Sequence, residues 1–310
     1  MMKSKNTYLF WYKHLEGNGN FGDELNPYII ERISKEKIKH IDLQYLRDDK
    51  WLAMKFLIVA IIEGRLNVRT FFRYLLYNFV LFPDVLLAIG SVLQFNNYSN
   101  SIVWGSGIIN QESKFKNADF IAVRGKQTQL RLKELGYNVP NVVGDPAILL
   151  PLIYKPINTK KYKVGIIPHH IHFEYLKNQS SSDVLVINLL DSIEEVVEQI
   201  NSCEITFSTS LHGIIVSHVY RIPSLWASFE GCMKNLSGDG VKFKDYFSSV
   251  NIEYYQPCLI KKNDIIGEEI FLEKVRNYYD CRLLPDDEII IKLQRDLLSV
   301  TPFTLKEEFI

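Results

Sequence analysis

The sequence predicts an α/β fold in two domains built on parallel sheets, and three observations predict it. Short apolar, strand-like runs alternate with helical patterns along most of the 310 residues, the order that builds parallel sheets covered by helices on both faces. The length suits two domains of roughly 150 residues each. The most polar break, Tyr154-Lys155-Pro156-Ile157-Asn158-Thr159-Lys160-Lys161, falls near the middle, which reads as a linker between an N-terminal domain over 1–155 and a C-terminal one over 160–310.

Taken in order, the first strand is Thr7–Tyr12. Gly17-Asn18-Gly19-Asn20-Phe21-Gly22-Asp23-Glu24-Leu25 follows it and opens a helix whose apolar face is Leu25, Ile29, Ile30 and Ile33. Asp23 reads as the N-cap of that helix, accepting from its free N–H groups. From Trp51 to Pro83 the chain is rich in Leu, Ile, Phe and Tyr, but Lys55, Glu63, Arg65, Arg69 and Arg73 interrupt it too often for a membrane-spanning helix. Arg65, Arg69 and Arg73 recur every four residues beside Leu66, Phe72, Leu75 and Leu76, a pattern that suits packing between domains or docking on a membrane surface. Packing is the favoured reading of the two.

Further strands are expected at Asp84–Ile89, Ser101–Trp104, Phe120–Val123 and Asn141–Val143, then at Lys163–Ile167, Val184–Ile187 and Glu204–Phe207. A helix over Lys126–Leu135 stops at Gly136. Another begins near Gly213 and holds His212 in its first turn. Two such domains would form a cleft beyond the C-terminal ends of their strands, where open parallel sheets bind ligands.

Thirty-six basic residues balance thirty-six acidic ones, which removes the electrostatic case for nucleic-acid binding. Any anion must be met locally. Cys203, Cys232, Cys258 and Cys281 are too widely spaced for a Cys-x-x-Cys pair, so neither a zinc site nor a disulfide framework is suggested and no metal is expected. The N-terminus lacks the pattern of a signal peptide. The expected location is cytoplasmic, at the inner face of the plasma membrane if segment 51–83 docks there.

Several polar motifs stand just after strands. The glycines at 17, 19 and 22 allow close approach of a ligand, and with Asp23 present a hydroxylated ligand suits the place better than a bare phosphate. Arg124-Gly125 puts a permanently charged fork at a strand end, suited to carboxylate or phosphate or to an ion pair. Asp145, before Pro146, reads as a turn-former. His169 and His170 follow the strand at 163–167 and could supply an acid or a base; adjacent positions point differently, so one of them at most faces a ligand. Ile205-Thr206-Phe207-Ser208-Thr209-Ser210-Leu211-His212-Gly213 places hydroxyls and a histidine between a strand and a helix. Free N–H groups there can hold an anion, with His212 as proton donor beside it.

Asn20-Phe21-Gly22-Asp23-Glu24-Leu25-Asn26-Pro27, Gly90-Ser91-Val92-Leu93, Trp104-Gly105-Ser106-Gly107, Val123-Arg124-Gly125, Gly144-Asp145-Pro146, Pro168-His169, Ser210-Leu211-His212-Gly213 and Lys242-Phe243-Lys244-Asp245-Tyr246-Phe247 occur in one order. In this order they resemble the polysaccharide pyruvyl transferases over roughly residues 17–250. The resemblance implies two Rossmann-like domains facing a cleft, as in GT-B glycosyltransferases. It also implies transfer of a pyruvyl group from phosphoenolpyruvate to two hydroxyls of a sugar, without a further cofactor. The acceptor would be a glycan or lipid-linked oligosaccharide.

By that resemblance Arg124 grips the donor and His212 binds it and acts as an acid, with Asp23 and His169 as further catalytic groups. Ser208, Thr209, Ser210 and Gly213 complete the donor site. Asn20, Gly22, Asp23, Gly105 and Ser106 fall to the acceptor. Ser210 stands where many members carry arginine, so either Arg221, Lys242 or Lys244 supplies the missing cation, or members with serine bind the donor differently, or the donor is not phosphoenolpyruvate. A nucleotide-sugar glycosyltransferase and a noncatalytic subunit of a polysaccharide assembly complex are the alternative readings.

Overall fold

The computed structural model describes residues 6–13, 19–157, 159–230, 238–261 and 283–310. Gly17, Asn18, Asn158, Cys232 and Cys281 of the motifs above lie outside them. In the first half the elements are β1 (Asn6–Phe10), α1 (Phe21–Ile33), β2 (Lys37–His40), α2 (Lys50–Ile62), α3 (Val68–Leu76), β3 (Val85–Leu87), β4 (Ser101–Trp104), β5 (Asp119–Val123), α4 (Lys126–Glu134) and β6 (Val142–Val143). In the second they are β7 (Tyr162–Ile167), α5 (His170–Leu176), β8 (Val184–Val186), α6 (Ile193–Asn201), β9 (Cys203–Ser208), α7 (Leu211–Val219), β10 (Ser224–Phe229), α8 (Val241–Ser249), β11 (Cys258–Ile260) and α9 (Asp287–Ser299).

All eight expected strands form, and every described strand pairing is parallel. Their apolar runs are buried on both faces, as in Val85–Leu87 and Val164–Ile167, which is what a helix-covered parallel sheet requires. The first sheet runs β2-β1-β3-β4-β5-β6 and the second β11-β10-β9-β7-β8. Both therefore wind the same way. The chain starts inside the sheet, steps to one side, then crosses to the other, and the strand order reverses between β1 and β3 and between β7 and β9. Beyond the C-terminal strand ends at such reversals, open α/β sheets leave room for ligands.

Helix α1 starts earlier than expected. Asn20 is its N-cap and Asp23 lies in its first turn, with Asp23 and Glu24 donating their N–H groups to the Asn20 carbonyl at 2.9 and 3.0 Å. Asp23 keeps a favourable place near the positive helix end but is not the cap.

Segment 51–83 forms two α-helices, α2 and α3, with a π-helical turn at Tyr77–Leu81 after the second. Arg65 lies between them and pairs with Glu63 at 2.5 Å, so only Arg69 and Arg73 share a face of α3. Trp51, Ile62, Val68, Phe72 and Val80 are each at least 60% exposed, so this segment does not bury them by packing between halves. Among the described residues no helix is long and apolar enough to cross a membrane.

One apolar core joins the halves. Leu25 and Ile29 of α1 share it with Val196 and Val197 of α6 and with Ile214 and Ile215 of α7. Helix α9, on the C-terminal side of the expected boundary, packs on the first sheet: the Trp104 indole donates to the Leu297 carbonyl at 3.0 Å and the Gln294 amide to that of Ile148 at 2.7 Å. Ser34 bridges to Leu305 beyond it. Residues 287–310 thus side with the first half, a departure from the 160–310 division, because the Trp104 indole and the Ile148 carbonyl find their hydrogen-bond partners on α9.

Candidate active site

At the strand-order reversal of the second sheet, the ends of β7 and β9 are tied together. Thr209 N–H donates to the Ile167 carbonyl at 3.1 Å, and the Thr209 hydroxyl accepts from His169 N–H at 2.7 Å. Ser208 Oγ donates to the carbonyls of Ile167 and Ser210 at 3.1 and 2.8 Å and accepts from Ser210 N–H at 3.0 Å. Both side chains are fully buried. The hydroxyl cluster expected to meet an anion therefore shapes the turn, and Ser208 and Thr209 act through it rather than by contact.

Ser210 is different. It is the N-cap of α7, yet its hydroxyl makes no capping bond. Its carbonyl accepts from Ile214 N–H, and the N–H groups of Leu211, His212 and Gly213 form the open positive end of a nine-residue helix. Gly213 fits there because a methyl group would overlap Ser208 Oγ.

His212 reaches from this end toward the first half. A methyl group at Gly22 would overlap its Nδ1, so glycine allows α1 to approach the imidazole. On its other side Nε2 lies 3.7 Å from Asp145 Oδ2. Asp145 is fully buried. Its Oδ1 caps the turn at 146–152 by accepting from Ala147 N–H at 3.0 Å, leaving Oδ2 for the histidine. The turn reading of Asp145 holds, and the carboxylate also sets a negative charge beside the histidine, at a distance beyond direct hydrogen bonding. Behind it Tyr246 has its ionisation pushed far up, by burial first and then by the Asp145 charge. Tyr246 meets His218 Nδ1 at 3.1 Å, and burial drives that histidine down to about 3, so it stays neutral.

Arg124 stands elsewhere than expected. It has no exposed surface. Its Nε donates to Asp245 Oδ2 at 3.0 Å, and its terminal nitrogens donate to Ser91 Oγ and the Ile108 carbonyl, each at 2.6 Å. Asp245 also accepts from the Thr128 N–H and hydroxyl at 2.9 and 2.6 Å. The guanidinium is thus a strut from β5 to α8, not a free clamp for a donor. Ser106, expected near the acceptor, is likewise buried and donates to the Gly90 carbonyl at 2.8 Å. Gly105 adopts φ +95°, and a side chain there would strike Pro146, so Gly105 lets the end of β4 pass close to the turn after β6 while Ser106 ties it to the end of β3.

Of the cations proposed to replace the arginine at 210, Arg221 pairs with Asp287 at 2.8 Å. Lys244 is exposed, with its ammonium 5.7 Å from the Tyr254 ring centre. Lys242 is half-buried on another face of α8. Burial, and then the Arg124 charge, lower its pKa to about 8. Its ammonium lies 5.4 Å from the Phe243 ring centre. Asn20 and Asp23 stay together at the start of α1, joined by an amide-to-carboxylate bond of 3.2 Å. His169 precedes α5 with its ring 4.3 Å from that of His170, so the adjacent histidines lie side by side rather than pointing apart.

The family model described as polysaccharide pyruvyl transferase matches residues 20–229, the stretch that carries Gly22, Asp145 and His212. A relative from Acanthamoeba polyphaga mimivirus, named "Uncharacterized protein L143", is 32% identical over 231 residues, covering 71% of this chain and 77% of its own. No solved structure matches. A match across most of the chain, with the family's motifs gathered at the strand ends where the two sheets meet, leads to one conclusion: the chain belongs to the polysaccharide pyruvyl transferase family.

Proposed function

We propose that the protein transfers a pyruvyl group from phosphoenolpyruvate to two hydroxyls of one sugar in a cell-surface polysaccharide precursor, closing a cyclic ketal and releasing phosphate, in two halves arranged as in GT-B enzymes. The observation that carries the reading is His212 paired with buried Asp145 at the open end of α7. One sugar hydroxyl adds to C2 of the donor as C3 takes a proton; phosphate then leaves C2 and the second hydroxyl closes the ring. Each addition releases a hydroxyl proton, and C3 and the leaving phosphate need protons. His212, beside the Asp145 carboxylate, is placed to deliver one, and the helix N–H groups with Ser210 suit the phosphate or carboxylate. Asp23, one residue from Gly22, is the proposed base for a sugar hydroxyl, with Asn20 beside it, and His169 a further proton carrier. Incubation with phosphoenolpyruvate and a panel of free and lipid-linked glycans, followed by mass spectrometry for the ketal, tests the reading. Stabilisation by nucleotide-sugars and not by phosphoenolpyruvate would turn it to a glycosyltransferase.

Lys242 is the proposed cation in place of the missing arginine, and it makes donor affinity depend on pH. Its folded pKa near 8 lies below the ordinary 10.5. Between these values the unfolded lysine holds a proton that the native one has shed, so the ligand-free fold gains stability as pH rises through that window. Anion binding runs the other way, because the ammonium is lost above about 8, whereas a phosphate monoester is fully ionised well below it, its second pKa being ~6. Phosphoenolpyruvate affinity is expected to fall between pH 7 and 9 in the native protein and to stay level in Lys242→Met; a level native profile removes Lys242 from the donor site.

The exposed apolar row on α2 and α3 lies beside Lys50, Lys55, Arg69 and Arg73. We assign it to an anionic lipid surface, where apolar side chains enter the interface and cations meet the headgroups. In flotation with anionic liposomes the protein is expected to rise at low salt and less at high salt. Protein that stays in the lower fraction at low salt overturns the assignment.

A further inference from the structure

A cavity of about 470 Å³ opens where β1 and β2 end, lined among others by Trp11, Tyr12, Lys13, His40, Gln94 and Phe95. It lies within the usual size of small-ligand sites, about 300–1,000 Å³. None of these residues belongs to the motifs that identify the family. The cavity adjoins the strand-order reversal of the first sheet.

Its chemistry is selective. The rings of Tyr12 and Phe95 lie 6.3 Å apart at 29° and are 49% and 39% exposed, an apolar platform of the kind that receives the C–H face of a pyranose. Trp11 is only 6% exposed. Its indole N–H is buried without a hydrogen-bond partner, and so is the side-chain carbonyl of Gln94. One is a donor and the other an acceptor. Buried polar atoms are seldom left unsatisfied in native proteins, and ligand hydroxyls, which both accept and donate, suit such groups. His40 meets the Trp11 carbonyl at 3.2 Å with its ring edge-on to the indole. Burial and the Lys13 charge keep its pKa low, so it adds a neutral polar edge rather than a charge.

We propose that this cavity seats a neutral sugar ring of the acceptor, with Tyr12 and Phe95 as the stacking platform and Trp11 and Gln94 as the groups that read its hydroxyls. The inference rests on the acceptor being a glycan, and its test does not require the transfer reaction. Saturation-transfer NMR without phosphoenolpyruvate, using methyl glucoside, galactoside, mannoside and N-acetylglucosaminide as probes, is expected to detect at least one of them on the native protein. Tyr12→Ala, which changes a half-exposed side chain, and Gln94→Leu should each weaken that binding at least tenfold, while His212→Ala leaves it unchanged. No signal from any probe on the native protein, or equal signals from native protein and both variants, overturns the proposal. A protein that forms the ketal with an acceptor KM unaltered in Tyr12→Ala would lose this sugar site and keep its proposed reaction. One that binds sugars through Tyr12 but never transfers pyruvate would keep the site and lose the reaction.

Discussion

His212→Ala is expected to lower turnover by about 10²–10⁴-fold, the range for a lost general acid or base, with phosphoenolpyruvate binding weakened far less. The imidazole is 13% exposed and contacts Gly22 and Asp145, so its loss leaves a small void at the junction of the halves, and the unfolding midpoint should move little. Asp145→Asn tests the same pair from the other side. Asparagine can still accept from Ala147 N–H and cap the turn, but it sets no carboxylate charge beside the His212 ring. Turnover should fall, by less than in His212→Ala, with the turn intact. A fully active His212→Ala protein would make the histidine a packing residue and remove the catalytic reading.

Asp245→Ala is expected to cause the largest loss of stability, about 3–5 kcal/mol, as when one member of a buried ion pair is removed. The variant leaves the Arg124 guanidinium enclosed without its counter-charge and deprives the Thr128 N–H and hydroxyl of their acceptor. Joint replacement by Arg124→Met and Asp245→Leu should recover part of the loss, because two apolar side chains need no mutual compensation. Urea unfolding of the three proteins measures both effects. The double variant also separates strut from clamp: folded protein that still binds phosphoenolpyruvate confirms the strut, and folded protein that cannot bind it returns Arg124 to the donor site.

A strand is plainest in the sequence where an apolar run such as Val85–Leu87 is buried throughout and has no polar alternative. Three others escape sequence reading for distinct reasons. Strand β2, Lys37-Ile-Lys-His40, lies at a sheet edge and shows no buried residue. Strand β11 is three residues long, and β10 begins and nearly ends in serine. At the site, local patterns locate the strand–helix junctions but not what crosses between them. Nothing near Arg124 in sequence points to Asp245, 121 positions away, and nothing near Asp145 points to His212. Asp23 was misread because Asn20 caps equally well. The cavity at Trp11 escaped because its walls come from separate segments with no shared spacing.

The return of α9 to the first sheet orders events during synthesis. Trp104 and Ile148 emerge from the ribosome long before Leu297 and Gln294, which cover them through the bonds at 3.0 and 2.7 Å. At about 5–20 residues per second, the nascent first half waits many seconds before the Trp104 indole and the Ile148 carbonyl meet these partners. A chain interrupted after its second sheet would keep every described strand of both sheets and still leave those two polar groups without their partners, an opening for chaperones.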